Sequence, residues 1–166
     1  MFQDWSANKG NIKGQLILMC FRLSCVIWKN KTLTVIFFLY LIFYRVFIEW
    51  ILCVELSWNT TVGSGLRIDH GQALIVNGGT VIGDNCLLRH CTTIGVKKLP
   101  DGSYSKNPVI GNNVDVGAGV HIIGPITIGN NVVIGAGSIV IKDVPSNTIV
   151  AGNPARVIRV IESKVN

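Results

Sequence analysis

Between Pro108 and Lys142 a branched aliphatic residue returns at every sixth position: Ile110, Val116, Ile122, Ile128, Ile134 and Val140. Glycine follows four of them, as Gly111, Gly117, Gly129 and Gly135. A helix returns its apolar face every 3.6 residues and a flat strand every second residue, so neither predicts this period. A six-residue repeat predicts a β-solenoid, in which each hexad supplies one short strand and one corner. The aliphatic points inward, and the Gly, Asn and Asp positions accept the backbone angles of the corners. The same phase runs upstream as Val62, Ile68 and Leu74, then as Ile82, Leu88 and Ile94. Two extra residues within Ile75–Gly79 are expected to shift the register between these sets. Residues 96–108 (VKKLPDGSYSKNP) break the repeat and predict a loop thrown out of the solenoid. At three hexads per coil the chain makes roughly four coils.

The amino-terminal third has a different pattern. Residues 1–11 are polar with two aromatics, and no secretory signal pattern is present. Residues 12–30 are apolar with Arg22 and Lys29 interspersed, and predict a helix broken at Asn30-Lys31. Residues 32–54 are the most apolar part. Their uncharged run, Thr32–Tyr44, is shorter than the roughly 18–20 residues a membrane span needs. Arg45 and Glu49 then stand at i, i+4, where they can pair on one helix face. Such a helix suits the open end of the solenoid, a neighbouring subunit or a membrane surface. After the repeats, Pro145 and Pro154 stop regular structure, and Arg156, Arg159 and Lys164 make the tail positive.

Composition narrows the function. With 49% hydrophobic and 14% charged residues the chain is no disordered tail, and 166 residues suffice for one packed core. The net charge of +6 suggests an anionic partner. A phosphate-bearing cofactor or an anionic membrane fits better than nucleic acid, because no dense Lys/Arg run or nucleic-acid motif is present. The five cysteines form no CxxC pair and are odd in number, which favours reduced, packed thiols in a cytoplasmic protein.

The period also places candidate chemistry. His70 follows the inward Ile68 by two residues, and His90 follows the inward Leu88 by two. The two imidazoles should therefore stack one coil apart, at about the 4.8 Å strand spacing. Continuing the column gives Ala118 and Ala136, flanked by Gly117, Gly119, Gly135 and Gly137. That column predicts a groove in which a long thin ligand lies close to the backbone. A histidine at the head of such a groove suits acyl transfer to a hydroxyl. A neutral imidazole takes the proton, a carboxylate fixes its tautomer, and a backbone N–H receives the oxyanion.

The repeat array resembles the hexapeptide-repeat acyltransferases. The resemblance implies an all-β solenoid, a left-handed parallel β-helix of hexapeptide repeats with a short α-helical amino-terminal segment, assembled as a homotrimer. The expected organisation is an apolar helical segment at 1–54, the β-helix at 55–143 with its loop at 96–108, and a closing segment at 144–166. The phrase VPSNTIVAGNPARVI resembles the family's ending, which closes the last coil beside the coenzyme A site. Residues 54–79 resemble the start of the β-helix in serine acetyltransferases, and the likeness runs over residues 54–158. Ile68-Asp69-His70-Gly71 matches that group's Leu-Asp-His motif, and Glu55 stands where the group has an Asp fifteen residues before the His. The resemblance implies His70 as general base, Glu55 as its orienter and Asp69 as an acceptor contact. His90 is a second candidate for the base, or a contact for the acceptor or thioester. The group's Asp-Arg-His-Pro, which helps hold the amino acid, is replaced here by Ser105-Lys106-Asn107-Pro108. Lys is a point charge where Arg is a bidentate clamp.

The short apolar amino terminus, the Glu–His pair and the phrase from Arg89 to Gly95 resemble the acetyltransferases of colanic acid and capsular polysaccharide assembly. The expectation is a cytoplasmic, acetyl-CoA-dependent O-acetyltransferase for a sugar hydroxyl in exopolysaccharide or capsule assembly, with room for peripheral contact at the inner face of the membrane. Lys106 and Asn107 are then acceptor contacts. Gly95, Ala118, Gly119, Ala136, Gly137, Lys142 and Arg156 are contacts for acetyl-CoA. Serine O-acetylation is the alternative. A non-catalytic scaffold and a zinc protein like the γ-carbonic anhydrases are more distant ones. The closely spaced histidine pair of the zinc family is missing, and no metal is expected.

Overall fold

The computed structural model describes residues 2–162. Lys164, expected to add charge to the tail, lies outside the described residues. The repeats wind into a three-faced prism of short parallel strands. One face carries β1 (Val54–Leu56), β4 (Leu74–Val76), β7 (Thr93–Gly95), β10 (His121–Ile123) and β13 (Ile139–Val140). The second carries β2 (Thr61–Val62), β5 (Val81–Ile82), β8 (Val109–Ile110) and β11 (Thr127–Ile128). The third carries β3 (Arg67–Asp69), β6 (Leu87–Arg89), β9 (Asp115–Val116), β12 (Val133–Ile134) and β14 (Thr148–Gly152), with β15 (Ala155–Val160) added antiparallel to β14. The winding is that of a left-handed β-helix.

The first face holds five strands, so the chain makes five coils where the hexad count gave four. The hexads missed β1, so that they entered the first coil only at Val62, and they missed the rest of the last coil after Val140, which is shortened around Val144, bridged to Ile128. The two-residue insertion also moves. Ile75 pairs with Thr93 and Val76 with Ile94, so the Asn77–Gly79 stretch is already in step. Ile68 pairs with Leu88, which places the extra residues in the corner between Asp69 and Leu74. That corner turns tightly, with left-handed His70 (φ 66°), Gly71 (φ 72°) and Ala73 (φ 53°).

Two repeated devices hold the coils. The inward aliphatics, such as Leu56, Ile82, Leu88, Ile94, Ile122 and Ile134, are at most 1% exposed and form one core. Each such burial contributes about 1.5–3 kcal/mol. At one corner Asn113, Asn131 and Asn147 take left-handed angles. Their amides form a ladder: Asn113 Nδ2 donates to Asn131 Oδ1 at 3.0 Å, and Asn131 Nδ2 to Asn147 Oδ1 at 2.8 Å. Loop 96–108 leaves after Gly95 as a small hairpin, bridged at Lys98 and Tyr104.

The helices close the open end of the first coil. α1 (Ile12–Lys29), α2 (Lys31–Ile36) and α3 (Phe38–Tyr44) lead into a π-helical stretch, Arg45–Ile51. The apolar segment predicted as one helix is thus broken at Phe37 and widened after Tyr44. Ile17, Leu18 and Phe21 of α1, with Tyr44 and Ile48, pack on the solenoid core. The polar residues before α1 serve the bare strand edge. Leu66 N donates to Asp4 Oδ1 at 3.0 Å, Ile68 N to Asn8 Oδ1 at 3.1 Å, and Asn11 Nδ2 to Ile68 O at 2.7 Å. Side chains here replace the ladder partner that a preceding coil would have supplied, because buried backbone groups left unpaired are costly. Arg22 ties the cap together, pairing with Asp4 at 2.8 Å and donating to Val62 O at 2.7 Å. Among the described residues no helix is long and apolar enough to cross a membrane.

Candidate active site

The strand registers bring the two predicted imidazoles together. Asp69 pairs with Arg89, so His70 and His90 occupy one corner in adjacent coils. Their rings meet edge to face with centroids 5.5 Å apart. Further along the corner Gly119 N donates to His90 O at 3.0 Å, and Gly137 N to Ala118 O at 2.8 Å. The column His70, His90, Ala118, Ala136 is therefore continuous. Packing requires the glycine before each alanine: a Cβ at Gly117 would sit 2.6 Å from Ala136 N, and one at Gly135 2.8 Å from Ala151 Cβ. Gly119 (φ 68°) and Gly137 (φ 71°) take the left-handed angles of the corner.

His70 is exposed, and among the described residues its ring makes no hydrogen bond. His90 is half-buried, and its Nδ1 is buried without a hydrogen-bond partner. An unpartnered buried imidazole nitrogen is unusual enough to mark a site where a ligand completes the bonding. His70 lies in a hollow of about 410 Å³ with Gly10, Asn11, Lys13, Arg67, Asp69 and Gln72. Arg67 Nε donates to Asp69 Oδ1 at 2.8 Å. With the Gln72 amide turned to satisfy its neighbours, its nitrogen donates to His70 O at 2.9 Å and its oxygen accepts from Lys13 Nζ at 3.2 Å.

Sequence reasoning missed Lys13, Arg67 and Gln72. Arg67 was within reach, since it shares the outer face of β3 with Asp69 by strand alternation. Lys13 carries no such signal, because only the docking of α1 brings it to this corner.

Glu55 lies elsewhere within the chain. It points outward from β1 and lines a second hollow with Arg45, Glu49, Ser57, Asn77 and Gly78. Among the described residues no hydrogen bond joins it to His70. Burial pushes the Glu49 carboxyl above its ordinary range; Arg45, 3.3 Å away, opposes the shift, and the Glu55 charge adds to it.

The predicted acetyl-CoA contacts divide between edges of the prism. Ala118, Gly119, Ala136 and Gly137 follow the histidines on one corner. Gly95 ends β7 and Lys142 follows β13, both at the carboxyl ends of the parallel first-face strands, across that face from the histidine corner. Arg156 of β15 pairs with Ala151 of β14, which packs against Gly135. Lys106 is exposed on the loop, whereas Asn107 accepts from Asn77 Nδ2 at 2.7 Å and so also braces the coil.

The thiols divide by burial. Cys53 and Cys91 are exposed and Cys86 is buried, while burial pushes the Cys25 thiol up to about 11 and raises Cys20 as well. The thiolate is the reactive form. Brief maleimide labelling at pH 8 should therefore modify Cys53 and Cys91 first, with the half-buried Cys20 and Cys25 slower and Cys86 reacting only after unfolding. Mass spectrometry of the labelled peptides checks this, and rapid labelling of Cys25 would contradict it. Among the described residues no three His, Cys, Asp or Glu side chains converge as a metal site requires.

Residues 107–142 match the family model for bacterial transferase hexapeptide (six repeats). The chain is 35% identical over 161 residues to WcaB of Escherichia coli strain K12, assigned as a colanic acid biosynthesis acetyltransferase, covering 95% of this chain and 98% of that protein. It is 43% identical over 105 residues to the serine acetyltransferase of Synechococcus elongatus, covering 63% of this chain and 42% of that one. Among solved structures, the Brucella abortus serine acetyltransferase in complex with coenzyme A superimposes with a TM-score of 0.79 at 32% identity. That match covers 93% of this chain and 59% of the solved one, so the chain spans less than two thirds of that enzyme.

Proposed function

The chain belongs to the bacterial transferase hexapeptide family of acetyltransferases, and from that premise we propose that it moves an acetyl group from acetyl-CoA to a sugar hydroxyl in exopolysaccharide or capsule assembly. The observation that carries this reading is the pair of imidazoles at the head of a smooth Gly/Ala column. Such a column lets a pantetheine-like chain lie against the backbone with its thioester near His70, and Arg156, paired with Ala151, is available to meet phosphates. His70 removes the acceptor proton as the hydroxyl oxygen attacks the thioester carbonyl. The tetrahedral intermediate then expels the thiolate, which takes the proton back from the imidazolium. No acyl-enzyme is needed, and the site requires both substrates bound together.

Sugar is preferred over serine as acceptor on two observations. The match to WcaB is collinear over nearly the whole of both chains. The loop also offers Lys106-Asn107, where the resemblance to serine acetyltransferases calls for Arg-His, and Asn107 is engaged with Asn77. The serine reading keeps its support from the 43% identity to the Synechococcus enzyme. Assembly as a homotrimer in the cytoplasm belongs to the same proposal, as does contact with the membrane's inner face through the exposed apolar side chains Val35, Ile36, Phe37, Phe38 and Leu39. Light scattering tests the trimer, and a monomer would count against it.

Glu55 is proposed to orient His70 in the loaded site, since catalytic hydrogen bonds often tighten only when substrate is bound. Glu55→Gln should lower kcat less than loss of His70 does, with acetyl-CoA binding intact. A variant with unchanged kcat, or one that no longer binds coenzyme A, would remove that role. Thiol release from acetyl-CoA with candidate sugars tests the function as a whole.

A further inference from the structure

A third hollow, apolar and of about 410 Å³, lies between the helices. Ile12, Leu16 and Cys20 of α1 face Phe43, Phe47 and Leu52 across it. Most of these side chains are open to solvent: Ile12 is 71% exposed, Leu16 47%, Phe43 47% and Phe47 40%. Lys13 lines this groove and also lines the hollow that holds His70. One side chain therefore joins an apolar trough to the proposed catalytic corner, and with the Gln72 amide turned to satisfy its neighbours it is hydrogen-bonded through Gln72 to that corner.

The charges of the helical layer point the same way. Asp4 and Glu49 are its carboxylates, and each is paired with an arginine, Arg22 and Arg45 respectively. Among the described residues none of the lysines Lys9, Lys13, Lys29 and Lys31 makes an ion pair, so the layer presents uncompensated positive charge. At the His70 end Arg67 adds a second cation, although Asp69 holds it. An amphiphile matches this sequence of surfaces. Its apolar chain lies in the trough, its anion meets Lys13, and whatever the anion carries reaches His70.

We propose that the groove between α1 and the α3–π-helical arm binds the apolar chain of a phosphate-linked lipid carrier, with Lys13 holding the phosphate and presenting the attached sugar to His70. This rests on the proposed sugar acetylation and specifies its acceptor as lipid-linked, not nucleotide-linked. The cost of leaving Ile12, Leu16, Phe43 and Phe47 in water is then offset when the carrier is bound. A charged partner for Lys13 in a partly dry site adds a strong, directional contact.

Calorimetric titration with farnesyl diphosphate, below its micelle concentration, tests the site without any acetyl transfer. Farnesol and inorganic pyrophosphate serve as the chain-only and anion-only probes. Farnesyl diphosphate should bind at least about tenfold more tightly than either. Lys13→Ala should weaken farnesyl diphosphate about tenfold and leave farnesol unchanged. Leu16→Gln and Phe47→Gln, both on solvent-open positions, should weaken both prenyl ligands and leave pyrophosphate unchanged. Equal affinity for farnesyl diphosphate and pyrophosphate would overturn the proposal. So would pelleting with anionic phospholipid vesicles without binding of monomeric farnesyl diphosphate, which would make the face a membrane contact. Self-association lost in Phe47→Gln, again without ligand binding, would make it an interface between copies and overturn the proposal equally. Acetylation of sugars without farnesyl diphosphate binding would sink the lipid-carrier site and leave the proposed activity standing. Binding without acetyl transfer to any sugar would support the site and sink the activity.

Discussion

His70→Ala is expected to lower kcat by at least ~100-fold, the low end for removal of a general base. The KM for acetyl-CoA should change little, because the Ala118–Ala136 column proposed to hold it is left intact. The structure supplies the alternative outcome as well. His90 stands 5.5 Å away between ring centroids, with an unpartnered Nδ1. If His70→Ala retains near-normal turnover while His90→Ala does not, the base is His90 and the exposed imidazole only lines the hollow. If both variants lose activity, the pH profile separates them. Loss of the base removes the acidic limb of kcat/KM, whereas loss of a binding partner raises KM and leaves the limb in place.

The largest expected loss of stability lies at the amino-terminal cap. Asp4 and Arg22 have side chains only 3% and 11% exposed, and they pair at 2.8 Å. Arg22→Ala leaves the Asp4 carboxylate buried and strips donors from Val62 O and Gly63 O. Breaking a buried pair from one side costs about 3–5 kcal/mol. At roughly 2–4 °C per kcal/mol for a chain of this size, Tm should fall by about 10 °C. Asp4→Ala should be comparable, since it also orphans Leu66 N. The double variant should be less destabilised than the sum of the two single ones, because the second change removes a charge already left alone. Additive losses in calorimetry would mean that the pair is solvated and the cap is held by Asn8 and Asn11 alone.

The repeat was legible because each hexad reports the same inward position, and the column of His70, His90, Ala118 and Ala136 follows from counting in step. The counting failed where the chain offers two inward residues at once. Leu74 pairs with Val54, and Val76 continues the strand beside Leu56. Both are buried, so the hydrophobic pattern alone could keep either in phase. The register chose Val76, which moved the insertion from Ile75–Gly79 into the corner beside His70. The first strand was hidden for a related reason: Val54 and Leu56 directly follow the apolar helical stretch and look like its continuation. The polar cap had no signature. Asp4, Asn8 and Asn11 satisfy a strand edge 57 to 62 residues away, and such hydrogen bonds impose no period. Lys13 was illegible in the same way, since its place beside His70 is made by tertiary docking. The break at Phe37 has neither proline nor glycine to announce it.

The most direct test of the central claim is thiol release from acetyl-CoA with two acceptor sets, free serine and a panel of nucleotide- and lipid-linked sugars, with His70→Ala run beside each. The account predicts turnover on sugars, none above background on serine, and its loss in the variant. Turnover on serine alone would contradict the account, because it would show that the acceptor site works without the Arg–His pair that Lys106-Asn107 replaces.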